Sequence, residues 1–222
     1  MATARVIVIG AGIGGLTAAV GLAARGLEVH LIERAATPGG KMREVRVAGQ
    51  PVDSGPTVLT LRDVFEAVFD EAGDALHDHV HLQPASVLAR HAWAAGGRLD
   101  LHADRERSAQ AIAELAGADE GRRYLQFCRN ARQIFETLDS TFIRAPRPSP
   151  LGLSLRVGLR RPLRLWGIQP FHTLWALLGR YFHDPRLRQL FGRYATYCGS
   201  SPFAATATLA LVAHVEQSGV WL

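Results

Sequence analysis

The sequence predicts an α/β fold that opens with a parallel β-α-β unit and continues as a largely helical second region. A short β-branched run at 5–10 precedes a glycine-rich turn, and a second apolar run at 27–33 follows a helical stretch. From Asp104 onward the hydrophobic spacing is mostly helical. We therefore expect one region over 1–103, with inserted hairpin strands, and a second, mostly helical region over 104–222.

Each element of the first region has its own pattern. Leu16 to Arg25 has helical spacing and is closed by Gly26, so a helix should join the two buried strands. Short strands are expected over 42–47 and 50–53.

The pattern then changes twice before the second region. Thr60-Leu-Arg-Asp63 resembles a capping box, and apolar residues at helical spacing follow it, which predicts a helix over about 61–72. Strand-like pieces between Val80 and Leu101 flank Ala94-Ala-Gly-Gly97, which predicts a hairpin. Beyond it we expect helices over about 105–116, 119–140, 169–182, 184–198 and 202–216.

Composition limits the class of protein. With 48% hydrophobic and 20% charged residues, the 222-residue chain is globular. Its net charge of +5 comes from arginine, since Lys41 is the only lysine, and this favours nucleotides, acidic lipids or nucleic acid as partners. Cys128 and Cys198 are far apart in the sequence, which argues against a disulfide framework and fits a reducing compartment.

The uncharged stretch from Val6 to Ala24 nears the length of a spanning helix or signal sequence. Five glycines within it argue instead for a strand, a turn and a helix. No other apolar run approaches spanning length, so we expect any membrane attachment to be peripheral.

Gly10-Ala-Gly12-Ile-Gly-Gly15 satisfies the G-x-G-x-x-G pattern of dinucleotide-binding Rossmann-type units. The first glycine permits the tight turn, the second lets the backbone approach a pyrophosphate, and the third allows the helix to pack closely on the strand. The helix that starts there directs unpaired N–H groups at the phosphates.

Glu33 closes the second strand about 20 residues further on, where a ribose-binding carboxylate is expected. A carboxylate at this position accepts hydrogen bonds from ribose hydroxyls and repels a 2′-phosphate, so NADP is disfavoured, although the neighbouring Arg34 weakens that inference. The pattern alone leaves FAD and NAD open.

Two further motifs indicate which cofactor is bound. At Pro38-Gly-Gly-Lys-Met-Arg43 and Asp53-Ser-Gly-Pro-Thr57 the chain resembles the phytoene desaturase family of flavoproteins, relatives of the amine oxidases. The resemblance implies that these two motifs line the flavin and pyrophosphate site of a bound FAD. The residues expected to bind the cofactor are Gly10, Gly12, Gly14, Gly15, Glu33, Arg34, Gly40, Lys41, Gly55, Pro56 and Thr57.

The resemblance runs through nearly the whole chain. Tyr194-Ala-Thr-Tyr-Cys-Gly-Ser-Ser-Pro202 and His214-Val-Glu-Gln-Ser-Gly-Val-Trp221 look like family blocks in the family's order, and their details are similar to the branch that desaturates hydroxylated or methoxylated acyclic carotenoids. Two departures are visible. Lys41 replaces a frequent arginine, and the sequence stops at Leu222 whereas family members continue for roughly as long again. The resemblance therefore implies a fragment that is incomplete at its C-terminus.

The resemblance implies an FAD-dependent enzyme of carotenoid biosynthesis that desaturates an acyclic carotenoid, with hydride passed to flavin and oxygen or a quinone as the final acceptor. It identifies no catalytic acid or base. The alternatives are another flavoprotein of the amine-oxidase type, an NAD-dependent dehydrogenase on the same fingerprint, and an inactive nucleotide-binding fragment. No G-x-S-x-G elbow is present to support hydrolysis.

Two other clusters suggest ligands. In a strand, the imidazoles of His77, His79 and His81 would share one face and could bind a metal, but an exposed strand edge is the commoner explanation and we predict no metal site. The stretch 140–183 has no acidic residue and seven arginines, which is typical of a surface that docks on an anionic membrane. The alternative is an ordinary arginine-bearing surface whose acidic partners lie elsewhere in the chain.

A nucleic-acid partner is disfavoured because no basic motif of a known module is present. We expect the protein in the cytoplasm, peripherally associated with the inner, photosynthetic membrane.

Overall fold

The structure is a computed structural model that describes residues 4–56, 58–145 and 167–222. Contacts between residues divide the chain into two compact units. Unit 1 is Met1–Pro84 with Val220–Leu222, and unit 2 is Ala85–Gly219.

Unit 1 begins with β1 (Arg5–Ile9), α1 (Ile13–Ala24) and β2 (Glu28–Ile32). The two strands pair in parallel, from Arg5 opposite Glu28 to Ile9 opposite Ile32. The helix ends before Gly26, whose φ of +80° is the left-handed conformation typical of a helix C-terminus. The predicted parallel β-α-β unit is confirmed.

An antiparallel pair follows, β3 (Glu44–Val47) and β4 (Gln50–Asp53). Ala48 and Gly49, which join the strands, both have positive φ, at +50° and +81°. Two consecutive left-handed residues form the tight turn whose twist suits a two-residue hairpin. The two predicted short strands are therefore present.

Helix α2 (Arg62–Glu71) forms where the sequence predicted a helix, and a 3₁₀ turn (Leu76–Asp78) follows it. The prediction of a capping box at Thr60–Asp63 is wrong. The residue before the helix is Leu61, in the left-handed conformation with φ +50° and no side-chain capping bond, so the Thr60 hydroxyl is one position too early to cap the helix.

Unit 2 opens with the antiparallel hairpin β5 (Val87–Ala92) and β6 (Arg98–His102), as predicted. Helices α3 (Arg105–Ala116) and α4 (Ala118–Leu138) follow, and α3 packs on β6. The hairpin thus lies in unit 2, whereas the sequence-based division placed it in the first region.

The rest of unit 2 is built from short helices with polar caps. A π-helical turn (Asp139–Ile143) ends α4, and beyond it lie α5 (Leu174–Tyr181), α6 (Pro185–Gly192), 3₁₀ turns at Arg193–Cys198 and Ala207–Ala210, and α7 (Leu211–Ser218). The Asp104 carboxylate caps α3, the Thr173 hydroxyl caps α5 and the Asp184 carboxylate caps α6, each by accepting a backbone N–H.

Two of the predicted helices are shorter than expected. The helix expected over 169–182 begins only at Leu174, because Thr173 is its N-cap and forms a bridge with Thr206. The same bridge keeps the start of the predicted 202–216 helix out of helical geometry, and regular α-helix begins at Leu211.

The hydrophobic core lies in unit 2. Along α4, buried residues recur at three- and four-residue spacing, which is the pattern of a helix with one face in a core. Phe127 lies at the centre, with aromatic contacts to Tyr181, Phe182 and Phe191 at centroid distances of 5.2 to 5.6 Å. In the described part of the chain, no helix has both the length and the apolar character needed to cross a membrane.

Candidate nucleotide site

The glycine-rich turn connects β1 to the N-terminus of α1. Gly10 has a φ of +99°, and its N–H donates to the Ile32 carbonyl at 2.7 Å. Gly12 is the N-cap of α1 in extended geometry, and its carbonyl accepts the first helical bond from Leu16 N–H at 2.9 Å. The N–H groups of the first helical turn therefore point out of the helix end without intrahelical partners.

Close packing explains two of the glycines. A Cβ at Gly15 would overlap the carbonyl oxygen of Gly10 and lie 3.0 Å from its carbonyl carbon, so only glycine fits between helix and turn. A Cβ at Gly40 would lie 3.0 Å from the Cα of Gly12, so the loop after β2 approaches the turn backbone to backbone. Gly12 itself has open space, because the nearest atom to a Cβ there is 4.0 Å away.

Glu33 follows β2 and is held against the turn. One carboxylate oxygen accepts the Ala11 N–H at 2.7 Å, and the other accepts the Ala35 N–H at 2.8 Å. These bonds favour the ionised form, so the pKa of Glu33 is lowered, chiefly by the Ala35 N–H and then by that of Ala11. Arg34 beside it is exposed and also favours the charged carboxylate.

The segment 39–55, which includes β3 and β4, contacts the turn through Gly39 and Gly40. Gly39 has a φ of +119° and donates its N–H to the Ala11 carbonyl at 2.8 Å. A Cβ at Gly55 would overlap the carbonyl oxygen of Lys41, so the start of the second motif lies directly on the first. Thr57, also predicted to bind the cofactor, lies outside the described residues.

A cavity of about 800 Å³ opens beside this turn within unit 1. Five residues predicted to bind the cofactor line it: Gly12, Gly14, Gly40, Lys41 and Pro56. The volume falls in the range of about 300 to 1,000 Å³ that is usual for small-molecule and cofactor pockets. The cavity is not lined by five other predicted residues: Gly10, Gly15, Glu33, Arg34 and Gly55. Of these, the three glycines shape the turn and the loop, and Glu33 binds the backbone of the turn.

Sequence reasoning missed the apolar wall of this cavity. Phe65 and Leu82 line it together with Trp221 and Leu222, which follow unit 2 in the sequence. Trp221 exchanges two backbone hydrogen bonds of 2.9 Å with Leu59, and this brings the distant segment to the site. The only sequence signal for Trp221 was the family motif that ends at this residue, and that motif does not indicate which part of the fold it contacts.

The histidines at 77, 79 and 81 do not lie in a strand, as the metal hypothesis required. His77 lies in the 3₁₀ turn Leu76–Asp78, not in a strand, and the His79 ring pairs with the Asp74 carboxylate at 2.7 Å. The alternating face required for a shared metal is therefore absent from this segment. Among the described residues, no group of three or more His, Cys, Asp or Glu side chains is arranged to hold a metal.

Comparison with known proteins agrees with this geometry. Residues 8–72 match the family of NAD(P)-binding Rossmann-like domains. Two solved amine oxidases share the fold: a putrescine oxidase variant (TM-score 0.54, 17% identity, 95% of this chain and 42% of that one) and cyclohexylamine oxidase from Brevibacterium oxydans (TM-score 0.54, 18% identity, 99% and 46%).

Sequence relatives are much more similar. Hydroxyneurosporene desaturase of Rubrivivax gelatinosus is 56% identical over 220 residues, which cover 99% of this chain and 42% of the relative. The enzyme of the same name from Cereibacter sphaeroides is 44% identical, covering 98% and 44%. Phytoene dehydrogenase of Streptomyces griseus is 34% identical, covering 95% and 41%. Over nearly all of its length, this chain is therefore similar to hydroxyneurosporene desaturases and to a phytoene dehydrogenase, in agreement with the resemblance seen in its motifs, and it spans less than half the length of the relatives it matches.

Proposed function

We propose that unit 1 binds FAD and that the chain serves an FAD-dependent desaturation of an acyclic carotenoid that carries a hydroxyl or methoxyl group. The observation that carries the proposal is the cavity beside the helix N-terminus, which is lined by Gly12 and Gly14 of the turn and by Gly40 and Lys41 of the loop after β2. The 56% identity to a hydroxyneurosporene desaturase supports the choice of substrate.

The residues of the cavity and of the adjoining turn fit the parts of such a cofactor. The N–H groups at the start of α1 would bind the pyrophosphate, because Gly12 leaves open space at the helix end. The Glu33 carboxylate would accept the ribose hydroxyls with the lone pairs that its two backbone bonds leave unused. The Lys41 ammonium would place a positive charge near the flavin or pyrophosphate.

The cavity wall would provide the conditions for the reaction. When bound, FAD supplies the hydride acceptor that dehydrogenation requires. Phe65, Leu82 and Trp221 would exclude water from that part of the cavity, since their side chains are largely apolar. No acid or base among the described residues is assigned to proton removal, and oxygen or a quinone would reoxidise the cofactor.

Cofactor binding is tested with Gly12→Val. Because space at Gly12 is open in the free protein, the variant should fold normally while its side chain blocks the pyrophosphate. Ala24→Val, at the exposed far end of α1, is the matched control. We expect wild type and Ala24→Val to bind FAD with partial quenching of tryptophan fluorescence, because Trp221 lines the cavity, and Gly12→Val to show neither. Flavin retained at full stoichiometry by Gly12→Val would contradict the site.

The match to NAD(P)-binding domains supports a second candidate, a nicotinamide-dependent dehydrogenase. The two candidates are separated by a competition between FAD and NAD for the same site. Bound FAD colours the protein yellow and bound NAD does not, so the protein's visible absorption reports which cofactor is bound. Tight NAD binding with no measurable affinity for FAD would reverse the proposal.

The reaction is measured as a red shift of the polyene absorption when the flavin-loaded chain is mixed with a hydroxylated carotenoid in liposomes and a quinone. A red shift supports the desaturase. Flavin binding with no shift for any acyclic carotenoid would leave the chain as a cofactor-binding polypeptide without this activity of its own.

We also infer that the protein is cytoplasmic and makes peripheral contact with the photosynthetic membrane that would dissolve its substrate. Five of the seven arginines in the stretch that suggested this, 140–183, lie outside the described residues, but exposed apolar side chains flank the undescribed part. Phe142 and Ile143 precede it, and Phe171, which follows it, is 88% exposed. Sedimentation with anionic liposomes should be strong at low salt and weaker at high salt, and salt-independent absence of binding would refute the contact.

A further inference from the structure

A small cavity lies in unit 2 between the β5–β6 hairpin and the segment in which α6 passes into the following 3₁₀ turn. Its volume of about 300 Å³ is at the lower end of the range that is usual for small-molecule pockets. Six residues line it: His91, Ala92, Trp93, Gln189, Leu190 and Arg193. All six belong to unit 2, and none of them lines the cavity beside the glycine turn.

Two polar atoms of this lining are buried without a hydrogen-bond partner. Among the described residues, five buried side-chain nitrogen or oxygen atoms lack a partner, and two of the five are His91 Nε2 and Arg193 Nε. Native structures rarely leave such atoms unpaired, because a buried polar atom that has lost its bonds to water is costly. Two of them at one cavity therefore indicate a ligand group that the chain itself does not supply.

The guanidinium of Arg193 is held in place by its other nitrogen atoms and its face. Its Nη2 donates to the Glu216 carboxylate at 2.6 Å, and its central carbon lies 4.9 Å from the centroid of the Tyr194 ring. Glu216 also accepts the Tyr194 hydroxyl at 2.8 Å, so its negative charge is already paired on both oxygens. The Nε–H of Arg193 is left as a fixed cationic donor, which cannot accept a hydrogen bond.

The other polar groups of the lining can also donate. Gln189 Oε1 accepts the indole N–H of Trp93 at 2.9 Å, so the amide oxygen is occupied and the NH₂ group is left as a donor. The pKa of His91 is lowered, first by burial and then by the positive charge of Arg193, against the opposing charge of Glu216. The ring is therefore neutral near pH 7, and in one of its tautomers it donates from Nε2.

A ligand that fits this cavity must accept hydrogen bonds and must also have an apolar part. Trp93 and Leu190 supply apolar wall beside the polar groups. A carboxylate accepts through two oxygens and donates nothing, and its hydrogen bonds with a guanidinium are among the stronger ones in proteins. We propose that the cavity binds a small carboxylic acid with a short apolar tail. Its carboxylate accepts from Arg193 and His91, and Gln189 donates to it at the rim.

Binding is tested with hexanoate, and with hexanol and inorganic phosphate as comparison probes. A ligand-detected NMR titration of the FAD-free chain measures each dissociation constant, so the result is independent of the proposed cofactor site. We expect saturable binding of hexanoate at one site. Hexanol lacks the charge and the second oxygen, and phosphate lacks the tail. Each should bind at least about tenfold more weakly, since one hydrogen bond to a charged group corresponds to about that factor.

Gln189→Glu tests the location of the site. It keeps an oxygen to accept the Trp93 N–H but replaces the amide donor with a negative charge. Hexanoate should therefore bind at least about tenfold more weakly, whereas the affinity for hexanol should change little. Gln133→Glu is the matched control, because Gln133 is exposed on α4 and does not line the cavity.

His91→Phe tests the second donor. The new ring is apolar and cannot donate, so hexanoate should again bind about tenfold more weakly. Circular dichroism checks that each variant is folded.

Four results would overturn the proposal. They are no saturable binding of hexanoate, binding of hexanol or phosphate as tight as that of hexanoate, equal effects of Gln189→Glu and Gln133→Glu, and full affinity for hexanoate in a folded His91→Phe variant. The first of these would mean that water alone satisfies the two buried atoms.

Discussion

Adjacent glycines at the start of α1 should respond in opposite ways to the same substitution. At Gly14 an added Cβ meets no atom within 4 Å, and the residue has ordinary helical geometry. Gly14→Ala should therefore stabilise unit 1 by about 0.4–1 kcal/mol, because it reduces the freedom of the unfolded chain. At Gly15 an added Cβ overlaps the Gly10 carbonyl.

Relief of that overlap requires α1 to move away from the turn. Overpacking in a well-packed region costs about 1–3 kcal/mol, and the helix gain of the same methyl group offsets at most about 1 kcal/mol of this. Because an overlap with a backbone oxygen belongs at the upper end of that range, Gly15→Ala should have a net cost of about 2–3 kcal/mol. In a unit of this size, 1 kcal/mol corresponds to roughly 4–8 °C in Tm.

Urea unfolding followed by far-ultraviolet circular dichroism measures both variants. We expect a higher midpoint for Gly14→Ala and a lower one for Gly15→Ala. FAD titration adds a second contrast, because Gly14 lines the cavity and its methyl group should weaken binding without loss of stability. A midpoint for Gly15→Ala at or above that of wild type would refute the packing argument.

Three further predictions concern charge and packing. The pKa of Glu33 is lowered in the folded chain, so its ionised carboxylate stabilises the fold above the ordinary pKa of 4.5. This stabilisation is lost as the pH falls through the lowered pKa. Glu33→Gln should therefore flatten the acid limb of a plot of stability against pH. Tyr194 is buried and donates its hydroxyl to the Glu216 carboxylate at 2.8 Å, so Tyr194→Phe should cost about 1–3 kcal/mol in urea unfolding. Phe127→Ala should cost about 3–5 kcal/mol, whereas Phe171→Ala should change the midpoint little.

Each of these has a clear contradicting result. An unchanged acid limb in Glu33→Gln would mean that the backbone bonds of the carboxylate do not form. Tyr197 is 58% exposed, so Tyr197→Phe serves as the control for Tyr194, and equal effects of the two would contradict the buried bond. A small loss for Phe127→Ala would mean that the aromatic cluster is not the centre of the core.

Local patterns predicted unit 1 well where the chain itself determines the geometry. The glycine turn and Glu33 follow from short-range rules, since Gly10 must adopt positive φ and the carboxylate comes directly after a strand. The 3₁₀ turn at His77 was not predictable, because alternating histidines suggest a strand only when a neighbouring strand is present to pair with.

Long-range contacts account for the other differences. The bridge between Thr173 and Thr206 shortens two helices, and each residue has helix-compatible neighbours, so the sequence gives no local signal for it. In the same way, Trp221 reaches the cavity only because it pairs with Leu59, far away in the sequence. Single-sequence patterns contain spacing, but not the identity of distant partners.

The pairing of the last described residues has a consequence for synthesis on the ribosome. Unit 1 is discontinuous in the sequence, since Leu59 and Gln83 bond to Trp221 and Leu222, with all of unit 2 encoded between them. Both segments of unit 1 must therefore emerge from the ribosome before the cavity wall can close, and unit 2 can fold before that happens. Any flavin captured during translation would meet a half-built pocket, so cofactor loading should follow, rather than guide, the folding of the helical unit.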